Sequence, residues 1–191
     1  MPPPGMGRRT RCYVDAAITP DVHVQRHNPR QAGLDILLQP QHQDGHRNIL
    51  IQAIMDSALD PLQAEAQALT LASAILKTLG LIEVLYLTDS QLLATTLQKE
   101  DPLMHSPDWR TRPLIADFLR NTQDYNISVK KIPRSRNNTA HSLAAQARSQ
   151  AHSTACLFVC NNPFHFDACP VQQALVNCSW GASRLIAVSC L

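Results

Sequence analysis

The sequence has little charge and no long apolar run. Charged residues make up 17% of its 191 positions and the formal net charge is only +2, while hydrophobic residues make up 45%. So little charge beside so much apolar material excludes a fully disordered chain. The small net charge also gives no overall electrostatic argument for nucleic-acid binding, so any such argument depends on where the charges lie.

Secretory and membrane-spanning segments are also missing from the sequence. No stretch approaches the roughly 20 apolar residues that cross a bilayer. The proline-rich start, Met1–Gly5, leads into arginines without an apolar run of signal-peptide length. We therefore expect an intracellular protein, nuclear or cytoplasmic, with no membrane partner. The length favours one domain with some additional residues, and a monomer is the default.

Cysteine is scarce in the first 150 residues, where only Cys12 occurs, and the other five lie in the C-terminal part: Cys156, Cys160, Cys169, Cys178 and Cys190. In a reducing compartment such residues are thiols or metal ligands before they are disulfides. A small zinc site is one hypothesis for Cys156, Cys160, His165 and Cys169, but these residues lack the short-spaced pairs of zinc ribbons and fingers. We favour a tail, residues 151–191, that packs loosely or is partly disordered.

The order of hydrophobic patterns predicts a mixed α/β domain over residues 11–150, after a flexible leader at 1–10. Patterns typical of strands occur at 11–18, 34–38, 49–55, 82–87 and 125–132, and the first three suit antiparallel pairing. Patterns typical of helices occur at 61–79, 91–98, 109–119 and 139–148. The first helix is the best marked, because Asp60-Pro61 signals its start and Gly80 its end. A mixed sheet with helices packed against it follows.

Three carboxylates occupy unusual positions in these elements. Asp15 has apolar neighbours on both sides in a strand, where burial of its charge is costly, unless the strand ends earlier and Asp15 lies in a turn. Glu65 falls on the apolar stripe of its helix, although the helix dipole also favours an acid in the first turns. Asp89 ends a buried strand, but it could simply cap the next helix.

Taken together, Asp15, Glu65 and Asp89 would lie at one end of the same sheet. Carboxylates that converge repel each other unless cations neutralise them. Oxygen ligands of this kind suit Mg²⁺ or Mn²⁺, and two such ions about 3.5–4 Å apart stabilise both oxygens of an in-line phosphoryl displacement. We therefore predict that the three residues bind Mg²⁺, with Mn²⁺ as the alternative.

Four ordered motifs carry a resemblance to a known family: Tyr13-Val14-Asp15, Ala64–Leu69, Leu87–Leu92, and Ile132-Pro133-Arg134 with Asn137 and Ala140–Ala144. In this order and spacing, residues 11–150 resemble the ribonuclease H-type domain of plant genomes, which is related to the reverse-transcriptase-associated domains of non-LTR retrotransposons. The resemblance implies an α/β ribonuclease H-like fold with a five-stranded mixed sheet. It also implies a two-metal nuclease that cuts the RNA strand of an RNA–DNA hybrid. In that scheme Asp15 bridges the metals, and Glu65 and Asp89 complete the catalytic cluster.

The fourth position of the cluster departs from the family's pattern. Members with a complete site carry a fourth Asp where this chain has His141, and commonly a Gly where it has Ala16. A neutral imidazole removes one negative charge and one hard oxygen ligand, so Mg²⁺ binding should weaken at that corner. His141 is a catalytic candidate that could bind Mn²⁺ or position water; otherwise it is a tolerated residue in the first turn of a helix.

A local positive patch precedes His141 and consists of Lys130, Lys131, Arg134 and Arg136. Together with Asn137 these residues are predicted to bind nucleic acid, although a solvated run of charge is the competing interpretation. The leading hypothesis is a metal-dependent endonuclease whose partner is an RNA–DNA hybrid. The alternative is a catalytically degenerate nucleic-acid-binding module of retrotransposon origin, and His141 is the residue that separates the two.

Overall fold

The computed structural model describes residues 9–18, 30–40, 48–150, 156–161, 169–178, 180–181 and 183–191. The strands of these residues are β1 (Thr10–Ile18), β2 (Arg30–Gln39), β3 (Ile49–Ala58), β4 (Glu83–Thr88), β5 (Asn126–Lys131), β6 (Leu157–Cys160) and β7 (Ser183–Cys190). Their helices are α1 (Pro61–Thr78), α2 (Gln91–Leu97), α3 (Arg112–Thr122), α4 (Asn138–Ser149) and α5 (Pro170–Val176). The strands form one sheet in the order β5-β4-β1-β2-β3-β7-β6, which makes β1 an interior strand.

The sheet is mixed, as the sequence predicts. Strands β1, β2 and β3 are antiparallel, and β4 and β5 continue from β1 in parallel. The prediction of five strands is wrong, because the described residues of the C-terminal segment add β7 antiparallel to β3 and β6 parallel to β7. These two strands cover an edge of β3 that would otherwise expose unpaired backbone groups.

The described residues of the C-terminal segment pack against the domain. Leu175 and Val188 are buried in the main core, and Ile186 is buried in a smaller cluster. The expectation of a loosely packed tail therefore does not hold for these residues. Residues 1–8 of the predicted leader lie outside the described residues, and β1 begins at Thr10. Where the domain begins and ends stays a prediction.

Helix α1, which carries Glu65, begins and ends at the predicted local signals. The Asp60 side chain accepts a hydrogen bond from a backbone N–H of the first turn at 2.9 Å, and Pro61 is the first helical residue. At the other end Gly80 has a φ of 68°, and the N–H groups of Gly80 and Leu81 donate to carbonyls of the last turn. These bounds place Glu65 in the second turn.

Among the described residues no helix has the combination of length and apolarity that a membrane crossing requires.

The sheet lies between α1 and α4. Leu34 and Ile36 of β2 pack in the main core with α1, whereas Ile54 of β3 and Ala147 of α4 belong to a separate cluster. Helix α4 approaches the sheet closely at Gly33 of β2, where a Cβ would lie 1.9 Å from the carbonyl oxygen of Ala144. Only a glycine permits such an approach of two backbones. The middle of α4 is thereby packed directly against β2.

Candidate active site

Three carboxylates converge at one edge of the sheet. Asp15 lies in β1, Asp89 follows the end of β4, and Glu65 extends from α1. Strands β1 and β4 are parallel with Tyr13 opposite Leu87, so Asp15 and Asp89, each two residues further on, reach the same level. One carboxylate oxygen of each acid lies within 4.8 Å of the other two. The structure thus brings together the three residues that the sequence predicts as metal ligands.

Burial makes this arrangement of carboxylates unfavourable without a cation. Only 1% of Asp15 is exposed. Burial and then the charge of Asp89 raise the pKa of Asp15, against hydrogen bonds with Glu65 and His141 that lower it. Burial and the charges of Asp15 and Asp89 hold the pKa of Glu65 well above its usual range. Both carboxyl groups would therefore ionise together readily only beside a positive charge.

The two oxygens of Glu65 have different surroundings. Oε1 accepts a hydrogen bond from the backbone N–H of Ala16 at 3.2 Å, which fixes the carboxylate. Oε2 is buried, and when Asp15 and Glu65 are both ionised it has no hydrogen-bond donor among the described residues. A buried polar atom left unpaired costs about 1–3 kcal/mol. A divalent cation would satisfy this oxygen, and a set of three carboxylates is the donor set that Mg²⁺ and Mn²⁺ prefer. The residues present therefore fit a divalent cation.

His141 stands beside the carboxylates as one half of an imidazole–guanidinium pair. Its Nδ1 lies 2.8 Å from Oδ2 of Asp15, and Nη2 of Arg134 lies 2.9 Å from its Nε2. The same Nη2 atom also lies 3.3 Å from Nδ1, so the guanidinium stands over the face of the ring and not in line with the in-plane lone pair of Nε2. A neutral imidazole with its proton on Nδ1 donates to Asp15 and keeps the lone pair of Nε2. The positive charge of Arg134 beside the ring disfavours a metal ion on that lone pair.

The carboxylates open into a cavity of about 310 Å³ whose lining includes Asp15, Glu65, Asp89, Arg134, His141 and Arg148. Arg148 was missed by the sequence analysis. Its Nη1 donates to the carbonyl of Ile18 at 2.8 Å, at the end of β1. The available signal is its spacing, because Arg148 follows His141 by seven residues, which is two helical turns and hence the same face of α4.

The predicted nucleic-acid-binding residues do not lie together on one surface. Arg134 lines the cavity, whereas Lys130, Lys131 and Arg136 are exposed on β5 and on the short 3₁₀ turn after it. Lys130 and Lys131 are neighbours in a strand and so point to opposite faces of the sheet. The prediction for Asn137 is wrong, because only 1% of this residue is exposed and its amide donates to the carbonyl of Val14 at 3.0 Å. Asn137 instead fixes the start of α4 against β1.

Asp35 is a further buried carboxylate that sequence reasoning missed. It lies directly opposite Asp15 in the register of β1 and β2 and is fully buried, and neither of its carboxylate oxygens has a hydrogen-bond partner in the part of the chain that the structure describes. Burial, and then the charge of Asp15, hold its pKa well above the usual range. The signal was present in the sequence, because Asp35 has apolar neighbours on both sides just as Asp15 does.

The metal-free protein is expected to gain stability on mild acidification, from about pH 7 to about pH 5. The pKa values of Asp15, Asp35 and Glu65 are raised above their ordinary values of 3.8, 3.8 and 4.5 in the folded state. The folded state therefore binds protons more tightly than the unfolded state. This contribution to stability is complete below about pH 4 and is lost as the pH rises through the folded pKa values. Each unit by which a pKa is raised corresponds to about 1.4 kcal/mol.

Thermal or urea unfolding with a chelator present measures this effect. The matched variant is Asp35→Asn, which should be more stable than the wild type near neutral pH and should depend less on pH. Equal pH dependence in the two proteins would show that Asp35 contributes nothing to the effect.

Comparison with known proteins identifies the domain. The sequence model of the reverse transcriptase-like family matches residues 20–147, which is more than half of the chain. Among curated protein sequences none matches. The structure of RNase H1 from the halophilic archaeon Halobacterium salinarum is similar with a TM-score of 0.57 and 24% identity, over 75% of this chain and 99% of that chain.

Two further solved structures share the fold. LC11-RNase H1, determined in complex with an RNA/DNA hybrid, has a TM-score of 0.58 and 20% identity, over 76% of this chain and 100% of that chain. The RNase H domain of PFV has a TM-score of 0.55 and 19% identity, over 75% and 97% of the two chains. Identities this low show the ribonuclease H-like fold alone, and the plant and retrotransposon origin stays a prediction. The match of the family's sequence model over more than half of the chain shows the family: this chain belongs to the reverse transcriptase-like family.

Proposed function

We propose that this chain is a divalent-metal-dependent endonuclease that cleaves the RNA strand of RNA–DNA hybrids. The observation that carries the proposal is the convergence of Asp15, Glu65 and Asp89 within 4.8 Å in a ribonuclease H-like fold. Buried carboxylates so arranged repel each other, and they fit the cations that serve phosphoryl transfer. The complex of the similar LC11-RNase H1 with an RNA/DNA hybrid supports the substrate class.

The acidic and basic residues at the cavity have different parts in this proposal. Asp15, Glu65 and Asp89 would hold Mg²⁺ or Mn²⁺, which supplies charge stabilisation to the reacting phosphate and lowers the pKa of water. The N–H of Ala16 orients Glu65. Arg134 and Arg148 add positive charge to the lining, where an incoming phosphate diester would be attracted.

His141 is best explained as a positioning residue. Its Nδ1–H donates to Oδ2 of Asp15 at 2.8 Å and limits the orientations of that carboxylate. Arg134 in turn packs its guanidinium against the imidazole, with Nη2 2.9 Å from Nε2 and 3.3 Å from Nδ1, and so limits the orientations of the ring.

A second candidate function is a catalytically degenerate nucleic-acid-binding module of retrotransposon origin. It is favoured by one observation, the imidazole–guanidinium pair of His141 and Arg134 where the resembled family has a fourth carboxylate. This pair adds positive charge beside Asp15 and reduces the net negative charge available to a cation. A module of this kind would keep the cavity and the exposed cations, and would bind a hybrid without cleaving it.

A cleavage assay on a labelled hybrid tests the proposal, with single-stranded RNA and duplex DNA of the same sequence as controls. The endonuclease should cut only the RNA strand of the hybrid and only with metal. It should cut better with Mn²⁺ than with Mg²⁺, because Mg²⁺ demands near-ideal octahedral oxygen coordination and the site has three carboxylates where the resembled family has four. Hybrid binding without cleavage in either metal would favour the binding module. A chain that neither binds nor cleaves the hybrid would contradict both functions.

The exposed cations before α4 are expected to contribute to hybrid binding through phosphates. In the double variant Lys130→Ala/Arg136→Ala, the dependence of log affinity on log salt should decrease by about 0.9 per lost phosphate contact. Fluorescence anisotropy at several salt concentrations measures the slope. The control is Lys77→Ala, since Lys77 is exposed and lies twelve residues beyond Glu65 on α1, about 18 Å along the helix. If Lys77→Ala decreased the salt dependence as much as the double variant does, a specific role for Lys130 and Arg136 would be excluded.

A further inference from the structure

Three cysteines lie close together near the β6 edge of the sheet, which is the edge opposite β5. Cys160 and Cys190 end the neighbouring strands β6 and β7 and are partners in their parallel register, and Cys169 immediately precedes α5. Their three sulfur atoms lie within 4.8 Å of one another. Cys169 and Cys190 are buried, Cys160 is exposed, and none of the three is in a disulfide.

We propose that Cys160, Cys169 and Cys190 bind one zinc ion through three thiolates. The sulfurs of Cys169 and Cys190 are 3.8 Å apart. A tetrahedral zinc ion with Zn–S bonds of about 2.3 Å separates its sulfur ligands by about 3.8 Å. A disulfide between the same two residues would need the sulfurs to approach to about 2.05 Å. The cluster therefore has the spacing of a zinc site without further movement of this pair.

Zinc binds cysteine through the deprotonated sulfur, so all three thiols would be thiolates once the ion is bound. Each thiol that binds zinc releases its proton to solvent, so the affinity should increase with pH.

The three-cysteine site differs from the ligand set that the sequence indicates. Cys160 and Cys169 belong to both sets, and Cys190 takes part only because β6 and β7 pair. Cys156 is exposed four residues before Cys160 and is not in the cluster, and His165 lies outside the described residues. Since Cys160 faces solvent, a water molecule can complete the tetrahedron.

Zinc at this site would connect the ends of β6 and β7 to the start of α5. The thiolates are soft ligands that select zinc over Mg²⁺ and Mn²⁺, whereas the carboxylates of Asp15, Glu65 and Asp89 have the reverse preference. The two sites should therefore fill independently. The zinc ion would stabilise the C-terminal extension of the sheet and would take no part in hydrolysis.

The test is titration of the reduced, chelator-treated full chain with Co²⁺ and then Zn²⁺, followed by absorption spectroscopy. We expect one Co²⁺ per chain with an intense thiolate-to-metal charge-transfer band, which Zn²⁺ abolishes. Cys160→Ser should weaken binding by at least about a hundredfold, because changes to outer-shell residues alone cost 10–100-fold. Because Cys160 is exposed, this variant should fold, and far-ultraviolet circular dichroism checks that it does.

Two control variants decide whether the signal belongs to this site. Cys156→Ser removes a neighbouring exposed thiol, and Asp15→Asn removes a ligand of the acidic site, and both should keep the band. The proposal is overturned if no thiolate band forms at one equivalent of Co²⁺. A band that survives Cys160→Ser, or that disappears in Cys156→Ser, would overturn it equally.

Discussion

Replacing Asp15 with asparagine is expected to reduce hybrid cleavage about a thousandfold, because a site of this kind provides several kcal/mol of charge stabilisation and about 1.4 kcal/mol corresponds to tenfold in rate. The same substitution should raise the free energy of unfolding of the metal-free protein near neutral pH. Asparagine keeps the size of the side chain and an oxygen that accepts from His141. The substitution removes a buried carboxyl group, whose pKa in Asp15 is raised by burial and by the charge of Asp89. Loss of activity with a gain of stability is the signature of a group retained for binding a cation.

Single-turnover cleavage and thermal unfolding with a chelator measure the two effects on the same preparation. Asp124→Asn is the control, since Asp124 is exposed and lies outside the cavity lining. It should change neither quantity appreciably. Cleavage that survives Asp15→Asn would contradict the assignment of the whole site, and a less stable metal-free variant would contradict the electrostatic explanation.

The candidate site was largely predictable because its three acids follow local rules. Asp15 interrupts an apolar strand, Glu65 lies on the buried stripe of α1, and Asp89 directly follows a strand parallel to β1. Parallel neighbours bring their carboxyl ends to one edge of a sheet, so the convergence follows from the element order. Helix α1 was equally accessible, because its cap at Asp60 and its stop at Gly80 depend on residues near in sequence.

Contacts between distant segments were not predictable in this way. Strand β7 pairs with β3 across more than a hundred residues of chain, and β6 has only four residues, mostly exposed. No local period distinguishes such an edge strand from a loop. The pairing of Cys160 with Cys190 and the alignment of Asp35 opposite Asp15 are consequences of the same sheet register. A pattern within one strand cannot show which residue of another strand lies beside it.

His141 is the position of the candidate site that departs from the family's pattern, and its contacts show what stands there instead of a fourth carboxylate. The family that the sequence resembles has a carboxylate where this chain has His141. In the structure Asp15 contacts Nδ1 of His141, and the Arg134 guanidinium packs against the ring. His141 thus lies between a buried carboxylate and an exposed guanidinium, and its part as a metal ligand or as a tolerated residue stays a prediction. Its replacement by aspartate therefore changes both the charge and the contacts of Asp15.

His141→Asp is expected to increase cleavage in Mg²⁺ by about tenfold to a hundredfold, because it adds a hard oxygen ligand and a negative charge at the cavity. The gain should be smaller in Mn²⁺, because Mg²⁺ demands near-ideal octahedral oxygen coordination and so depends more on a fourth carboxylate. In the absence of metal the variant should be less stable, since a further carboxylate joins groups whose pKa values are already raised. Titration of Mg²⁺ and Mn²⁺ in the hybrid-cleavage assay measures the change in preference.

His105→Asp is the matched control, because it introduces the same charge at an exposed histidine outside the cavity lining. It should leave the metal preference as in the wild type. If the wild type is inactive in both metals while His141→Asp cleaves, the chain is a binding module whose catalytic site lost one ligand. If the wild type is active and His141→Asp lowers its activity, the link from Asp15 through His141 to Arg134 serves cleavage itself, and the departure from four carboxylates is functional.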